Sequence, residues 1–323
     1  MLDSWDAAMA DNTRIEWADA TFNPWWGCTK ISPACYHCYA ATFARRFGVG
    51  WGNDATRRIS SENVWAQPLR WQFNAAREGR KLRVFCGSMC DVFEDRPELN
   101  EHRERLFQLI EWTPHLFWLL LTKRPQNIPK RRFSGLPNVG LGVTIESDAY
   151  AWRVLKLLEI PAALHFVSCE PLLAELDITQ IVSENRPGVE VFNALSGAWA
   201  RSHTDYPVLS GTGRNHLDWV IAGGESGPGA RPSHPDWFRS LRDQCAAAGV
   251  PFFMKQWGEY IPMGRGIIGW DSDEIPLRSD GFDCRGYEAL IDDSTAIMRR
   301  VGKKYTGNKL DGRQHLEIPE VCR

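Results

Sequence analysis

The stretch Trp25-Trp26-Gly27-Cys28-Thr29-Lys30-Ile31-Ser32-Pro33-Ala34-Cys35-Tyr36-His37-Cys38-Tyr39 carries three of the nine cysteines of the chain, at the spacing C-x6-C-x2-C. Cys35 and Cys38 are close enough in sequence for both thiolates to reach one soft metal centre. Cys28 lies seven residues before Cys35, across a loop that can fold back on the pair. A structural zinc site uses four protein ligands, whereas an iron–sulfur cluster held by three cysteines leaves one iron open. The stretch therefore predicts a metal site, with iron–sulfur and zinc as the alternatives and unligated thiols as the third.

The composition is that of a globular protein. The chain has 323 residues, of which 43% are hydrophobic and 24% charged, and its formal net charge of -2 provides no global attraction for nucleic acid. No apolar run is long enough to span a membrane, and residues 1–20 are acidic without an apolar stretch. Nine cysteines in a chain of this kind suggest free or metal-bound thiols. We therefore expect a cytoplasmic protein without membrane contact.

Short apolar runs alternate with helical segments along most of the chain. This alternation predicts an α/β fold, a TIM-like partial or full (β/α) barrel of about 6–7 parallel strands. Almost every predicted strand ends in polar residues, so we expect a site at the carboxyl ends of the strands. The predicted strands are 16–23, 83–87, 116–122, 139–145, 165–168, 218–222 and 251–254, and the predicted helices are 39–47, 63–78, 98–112, 149–158 and 235–248.

Two segments depart from this alternation. Residues 183–215 are polar and rich in Gly and Ser, which predicts an insertion, either a small subdomain or a disordered excursion. Residues 258–323 are rich in Gly and Asp and include the basic run 299–304. We therefore expect a barrel over residues 1–257, including the insertion, and a C-terminal extension over 258–323 that packs on the barrel. The basic run could follow a nucleic-acid backbone or form a solvated surface.

Several ordered motifs accompany the cysteine stretch. With these motifs the chain resembles, over almost its whole length, a phage and prophage protein family marked by a three-cysteine motif. Besides the cysteine stretch, the matching pieces are Ile15-Glu16-Trp17, Asn23-Pro24, Gly87-Ser88-Met89-Cys90-Asp91-Val92-Phe93, Leu121-Thr122-Lys123-Arg124-Pro125, Glu170-Pro171-Leu172-Leu173, Gly223-Gly224-Glu225-Ser226-Gly227 and Lys255-Gln256-Trp257-Gly258.

At greater distance the pattern is similar to radical S-adenosylmethionine enzymes. In those enzymes three cysteines after the first barrel strand hold a 4Fe–4S cluster, and the open iron binds S-adenosylmethionine. The resemblance implies a 4Fe–4S cluster on Cys28, Cys35 and Cys38, S-adenosylmethionine as a second cofactor, and an electron donor such as flavodoxin or ferredoxin. The commonest spacing in that superfamily is C-x3-C-x2-C, from which the six-residue gap here departs.

The resemblance also implies contacts with S-adenosylmethionine at the strand ends. In that superfamily a Gly-Gly-Glu after the second strand touches the methionine amine. Here the second strand is followed by Ser88 and Asp91, to which we assign that contact. Thr122 and Arg124 end the next strand, where a cation can pair with the methionine carboxylate or with a phosphate.

Four further charged residues end later strands. Glu146 and Glu170 are candidates to accept hydrogen bonds from ribose hydroxyls. Glu225 follows two glycines, which either let the backbone approach a ligand or form a tight turn, and we assign it to the substrate or the ribose. Lys255 is a candidate phosphate contact, proton donor or salt-bridge partner. Each of these, taken singly, also fits an ordinary solvated loop charge.

Together with these features, the two resemblances imply a radical S-adenosylmethionine-type iron–sulfur enzyme, and the phage association of the family implies that it modifies or repairs a nucleic-acid base. DNA or RNA would be the partner, and no residue is singled out as catalytic. Trp25, Trp26, Trp51 and Trp257 lie near the predicted mouth of the barrel and are candidates to stack on bases. One alternative is a non-catalytic nucleic-acid-binding protein whose cysteine loop holds structural zinc. Another is an accessory partner of a methyltransferase-like enzyme encoded nearby.

Overall fold

The computed structural model describes residue 13 and residues 15–183, 190–201, 215–263, 273–287 and 290–323. No helix in these ranges is both long enough and apolar enough to cross a bilayer. The helices are α1 (Tyr39–Arg45), α2 (Glu62–Trp65), α3 (Gln67–Glu78), α4 (Asn100–Trp112), α5 (Trp152–Leu157), α6 (Pro235–Ala248) and α7 (Lys303–Thr306). The strands are β1 (Ala20–Phe22), β2 (Trp25–Trp26), β3 (Arg58–Ile59), β4 (Leu82–Cys86), β5 (Leu116–Thr122), β6 (Val139–Thr144), β7 (Leu164–Cys169), β8 (Ile181–Ser183), β9 (Glu190–Asn193), β10 (Ala198–Arg201), β11 (Trp219–Gly223), β12 (Phe252–Gln256), β13 (Tyr260–Met263), β14 (Glu274–Arg278), β15 (Thr295–Arg300), β16 (Lys309–Leu310) and β17 (Arg313–Gln314).

Seven strands form the central sheet, in the order β1-β4-β5-β6-β7-β11-β12. The sheet order follows the chain order, and the pairs β1–β4, β4–β5, β5–β6 and β11–β12 are parallel. Helices lie between most of these strands in sequence, as right-handed crossovers in such sheets require. The predicted α/β fold is confirmed, in its partial-barrel form, with β1 and β12 at the two ends of the sheet.

The sequences of the central strands explain why they are buried. Six of the seven residues of β5, Leu116–Thr122, are buried, which is typical of a strand covered on both faces. In β6 every residue is buried, and Gly142 makes room for a neighbouring ring. A Cβ atom at Gly142 would lie 2.3 Å from Cζ of Phe166. The glycine is therefore a packing requirement of the core.

The chain forms two compact units. The first comprises residues 1–144, 156–166 and 318–323, and it contains the cysteine loop. The second comprises residues 145–155 and 167–317. The division predicted at residue 257, between a barrel and an extension, stays a prediction.

The second unit contains the predicted insertion and most of the predicted extension, whose last residues, 318–323, belong to the first unit. Part of the predicted insertion forms a three-stranded antiparallel sheet, β10-β9-β8, while residues 184–189 and 202–214 lie outside the described residues. In the predicted extension, β13, β15 and β14 form an antiparallel sheet and β16 and β17 pair as a hairpin. The longest helix here, α6, begins with Pro235 and ends at Ala248, and it is capped by Gly249, which has a φ of 70°.

Candidate metal and cofactor site

The start of the cysteine loop is held against the end of β4. Asn23, which directly follows β1, is fully buried, and its Oδ1 accepts a hydrogen bond from the Met89 amide at 2.7 Å. The Nδ2 of Asn23 donates to Oγ of Ser88 at 2.9 Å. The Gly27 amide donates to the Met89 carbonyl oxygen at 3.1 Å. Parallel pairing of β1 and β4 thus brings Ser88 beside the loop, and its predicted contact with methionine stays a prediction.

Arg57 lies under the loop and satisfies all of its guanidinium nitrogens. Its Nε and Nη2 donate to the Glu94 carboxylate at 2.8 and 2.7 Å, and Nη1 donates to carbonyl oxygens in residues 52–55. Nη2 also donates to Oγ1 of Thr29 at 2.9 Å. The guanidinium needs the space that Gly27 leaves, because a Cβ atom there would be 2.8 Å from Cδ of Arg57. The φ of +115° at Gly27 likewise favours glycine.

Arg124, at the end of β5, holds the loop from a second direction. Its Nη1 donates to Oδ2 of Asp91 at 2.8 Å and lies 3.9 Å from Sγ of Cys28. Its Nη2 donates to the Thr29 carbonyl oxygen at 2.9 Å. Thr122 completes the group by donating from Oγ1 to Oδ1 of Asp91 at 2.7 Å. The structure therefore brings together Asp91, Thr122 and Arg124, which follow two neighbouring strands in the sequence.

We call Arg57, Glu94, Arg124, Asp91 and Thr29 the buried arginine network. Arg124 and Glu94 approach to 4.0 Å, so the two cations and two carboxylates form one alternating group. Burial alone would favour the neutral form of Glu94, but the hydrogen bonds from Arg57 and Thr29 hold its pKa below the usual range. Thr29 is fixed at both its hydroxyl and its carbonyl. The network therefore positions the residue that follows Cys28.

The three cysteines of the loop are free thiols and are all partly exposed. Burial raises the pKa of the Cys28 thiol to about 12, and the negative charge of Asp91 adds to the effect. Cys35 Sγ lies 3.9 Å from Oγ of Ser32. In the part of the chain that the structure describes, no three His, Cys, Asp or Glu side chains are gathered as a metal site. The three thiols lie on one loop, and cysteine thiolates are the ligands of iron–sulfur clusters, so the chemistry of these donors fits such a cluster.

In the second unit, Glu146 and Arg153 form an ion pair at 2.9 Å, and both side chains are almost completely buried. The second carboxylate oxygen of Glu146, Oε1, is buried without a hydrogen-bond partner among the described residues. A buried acceptor without a donor is costly. Among the predicted site residues, Glu146 therefore has a buried carboxylate oxygen, Oε1, that no donor among the described residues satisfies.

Glu170 and Lys255 contact each other. Lys255 Nζ lies 2.7 Å from Oε1 of Glu170, and Ser168 donates to Oε2 of Glu170 at 3.1 Å. Of the three roles considered for Lys255, the salt bridge is the one present in this structure. The predicted ribose contact of Glu170 and the other two roles of Lys255 stay predictions.

Glu225 is engaged by Arg231. Its Oε2 accepts from the Arg231 amide at 2.9 Å and from Nε at 2.8 Å, and Oε1 accepts from Nη2 at 2.6 Å. The glycine before it packs against the chain itself, since a Cβ at Gly224 would lie 1.9 Å from the Trp257 carbonyl oxygen. Close backbone packing therefore accounts for Gly224. The predicted ligand contact of Glu225 stays a prediction.

The prediction of base stacking is wrong for three of the four tryptophans. Trp25, Trp26 and Trp257 are 0%, 4% and 4% exposed, because they pack in the core. Trp51 is half-buried and remains accessible. Stacking at the other three positions would require the core to open.

The basic run 299–304 is partly neutralised within its own unit. Arg299 Nε donates to Oε1 of Glu274 at 2.8 Å, and Arg300 lies 3.8 Å from Oε2 of Glu259. Paired cations attract a phosphate backbone less than unpaired ones. The structure thus favours the interpretation of this run as part of a solvated surface.

Four residues of the site, Arg57, Glu94, Thr29 and Asn23, were not predicted from the sequence. Glu94 directly follows the motif Gly87-Ser88-Met89-Cys90-Asp91-Val92-Phe93, and Asn23 belongs to the motif Asn23-Pro24. Both could have been found by following those motifs outward. No sequence pattern indicated Arg57, because it lies in a loop and its partner, Glu94, is 37 residues away in the chain.

The fold and site define an α/β protein with a parallel sheet and a three-cysteine loop after the first strand. Residues 12–319 match the family described as "Protein of unknown function (DUF5131)", and the chain belongs to this family. A comparison with curated proteins found no match.

Among solved structures, the chain is similar to spore photoproduct lyase. One mutant is 10% identical, with a TM-score of 0.39 and coverage of 90% of this chain and 71% of that chain. The complex with dinucleoside spore photoproduct is 8% identical, with a TM-score of 0.39 and the same coverage of 90% and 71%. A mutant with bound AdoMet and dinucleoside spore photoproduct is 12% identical, with a TM-score of 0.36 over 52% of this chain, and the match spans about half of that protein, 49%.

Proposed function

We propose that this protein is a radical S-adenosylmethionine-type iron–sulfur enzyme that acts on a nucleic-acid base. The observation that carries the proposal is the place of the three free thiols. They lie on one loop directly after the first strand of a parallel sheet, and β/α proteins collect their sites at the carboxyl ends of such strands. Cys28, Cys35 and Cys38 would hold the 4Fe–4S cluster. When bound, such a cluster supplies the electron for reductive cleavage of S-adenosylmethionine.

The buried arginine network would keep the loop in place during this chemistry. Arg57 and Arg124 both bind Thr29, so the backbone after Cys28 is held in place, while the Cys28 side chain remains partly exposed. The guanidinium of Arg124 lies 3.9 Å from Sγ of Cys28, where a cation favours a thiolate over a thiol. Asp91 and Thr122 support Arg124 in that position. Besides the predicted contacts with methionine, we therefore propose a positioning role for these three residues.

The proposed ribose contact of Glu146 has independent support. Its Oε1 is buried and lacks a donor in the described ranges, while Oε2 is held by Arg153. A ligand hydroxyl would supply the missing donor. The nucleic-acid base as substrate is proposed on the resemblance to phage and prophage proteins and on the ability of a radical to attack an unactivated carbon.

Anaerobic reconstitution with iron and sulfide tests the metal centre. We expect a brown protein with about four irons and four sulfides per chain, as one 4Fe–4S cluster requires. Cys28→Ala, Cys35→Ala and Cys38→Ala should each lower the iron content sharply. Cys245→Ala, at a buried cysteine of α6, is the matched control and should keep it. A colourless protein with stoichiometric zinc would refute the proposal in favour of a zinc-binding protein.

The reaction is tested with the reconstituted and reduced protein. We expect formation of 5′-deoxyadenosine from S-adenosylmethionine, with a change in rate when DNA or RNA is added. An iron–sulfur protein that forms no 5′-deoxyadenosine by itself would contradict the enzyme proposal and favour an accessory role beside a methyltransferase-like partner.

A further inference from the structure

A cavity of about 430 Å³ opens beside the cysteine loop, within the first unit. Its wall includes Cys38, the last of the three candidate ligands, together with Lys30 and Arg45. Two aromatic side chains, Tyr36 and Trp51, also line it. The mechanism proposed above uses the sulfur of Cys38 but leaves the rest of this cavity without a role.

The cavity is positively charged. Lys30 Nζ donates to the Tyr36 carbonyl oxygen at 3.5 Å, and Arg45 Nη2 donates to Oγ1 of Thr42 at 3.2 Å. Neither cation forms an ion pair with a carboxylate within the ranges that the structure describes, and the cavity wall has no Asp or Glu. In a chain of net charge -2, this is a local concentration of positive charge. A concave site of one sign attracts ligands of the opposite charge.

The aromatic residues provide flat surfaces next to these cations. Trp51 packs against the buried cluster that contains Trp26 and Met89, so its ring is supported from within while it also lines the cavity. Tyr36 is 63% exposed. Cations that bind a backbone phosphate, combined with rings on which a base stacks, form the recognition pattern of single-stranded nucleic acid.

We infer that this cavity binds one nucleotide of a nucleic-acid strand, with the phosphate at Lys30 and Arg45 and the base against Trp51 or Tyr36. The inference rests on the proposed function, because it names where the substrate approaches the loop of Cys38. S-adenosylmethionine is the poorer occupant. It carries a sulfonium, an ammonium and a carboxylate, so its net charge is positive and two unpaired cations repel it.

The test is binding of a fluorescein-labelled single-stranded oligonucleotide to the full chain, measured by anisotropy at several salt concentrations. Lys30→Gln combined with Arg45→Gln should weaken binding at least ten-fold and lower the salt slope by about 0.7, the value for the one phosphate contact that both cations share. Trp51→Leu should weaken it about five-fold or more through lost stacking. Arg70→Gln combined with Arg77→Gln removes the same charge from the exposed face of α3 and should leave binding unchanged.

Equal affinity of wild type and the Lys30/Arg45 double variant would overturn the inference. So would an equal loss in both double variants, which would show non-specific attraction. Iron content and 5′-deoxyadenosine formation are measured separately on the wild type. A cluster-containing protein without oligonucleotide binding overturns the cavity assignment alone, and oligonucleotide binding by a protein that takes up no iron overturns the enzyme proposal alone.

Discussion

Replacing Glu94 with glutamine tests the buried arginine network. The Glu94 carboxylate accepts two hydrogen bonds from Arg57, at 2.8 and 2.7 Å, and the two side chains are only 1% and 3% exposed. Glutamine keeps the shape but removes the charge, and its amide nitrogen would face a guanidinium donor. Breaking a buried ion pair from one side costs about 3–5 kcal/mol, since the remaining charge is left uncompensated. At about 2 °C per kcal/mol for a chain of this size, the melting temperature should fall by about 6–10 °C.

A second measurement links this change to the cysteine loop. Because Arg57 also binds Oγ1 of Thr29, a displaced guanidinium should loosen the backbone after Cys28. The rate of iodoacetamide modification at Cys28, followed by peptide mass spectrometry, should therefore rise in Glu94→Gln. Cys245 is fully buried in α6 and serves as the internal reference that should stay unmodified.

The matched control is Glu62→Gln. Glu62 also binds an arginine, Arg105, through both carboxylate oxygens, but its side chain is 78% exposed. Solvent screens such an exposed ion pair, so the melting temperature of the Glu62→Gln variant should equal that of the wild type. A Glu94→Gln variant that melts with the wild type, or whose Cys28 reacts no faster, would refute the positioning role of the network.

Two further predictions concern the second unit. Gly224→Ala places a Cβ 1.9 Å from the Trp257 carbonyl oxygen, so we expect the free energy of unfolding to fall by about 3 kcal/mol or more. The fall should appear as a lower midpoint of unfolding in urea. A midpoint equal to that of the wild type would disprove the close packing. Hydrogen bonds from Arg239 hold the pKa of the Asp311 carboxyl at about 2, below its ordinary 3.8. The ionised carboxylate therefore stabilises the folded protein above about pH 4, and this contribution is lost as the pH falls through about 2. Asparagine tolerates the positive φ of 53° at this position. Asp311→Asn should melt below the wild type at pH 7, and this difference should shrink as the pH falls through about 2, whereas an equal difference at pH 7 and at pH 2 would contradict this ion pair.

The elements of the fold were predicted from local sequence patterns. The run Leu116–Thr122 forms β5 as predicted, since a continuous apolar segment of this length is typical of a strand buried on both faces. The helix predicted over 235–248 is α6 with the same bounds, because Pro235 and Gly249 mark its ends. The strand predicted over 16–23 is shorter in the structure, Ala20–Phe22, since only that part pairs with β4.

Local sequence patterns were sufficient to predict the alternation of strands and helices, the polar strand ends and the position of the three cysteines after the first strand. Those features depend on residues that are only a few positions apart in the chain, so they can be predicted from local sequence patterns. The folded chain was needed to show that Arg57 binds Glu94, that Trp257 is buried and that Gly224 packs against the main chain. These contacts join residues more than thirty positions apart, and the burial of a side chain depends on what the rest of the chain places around it.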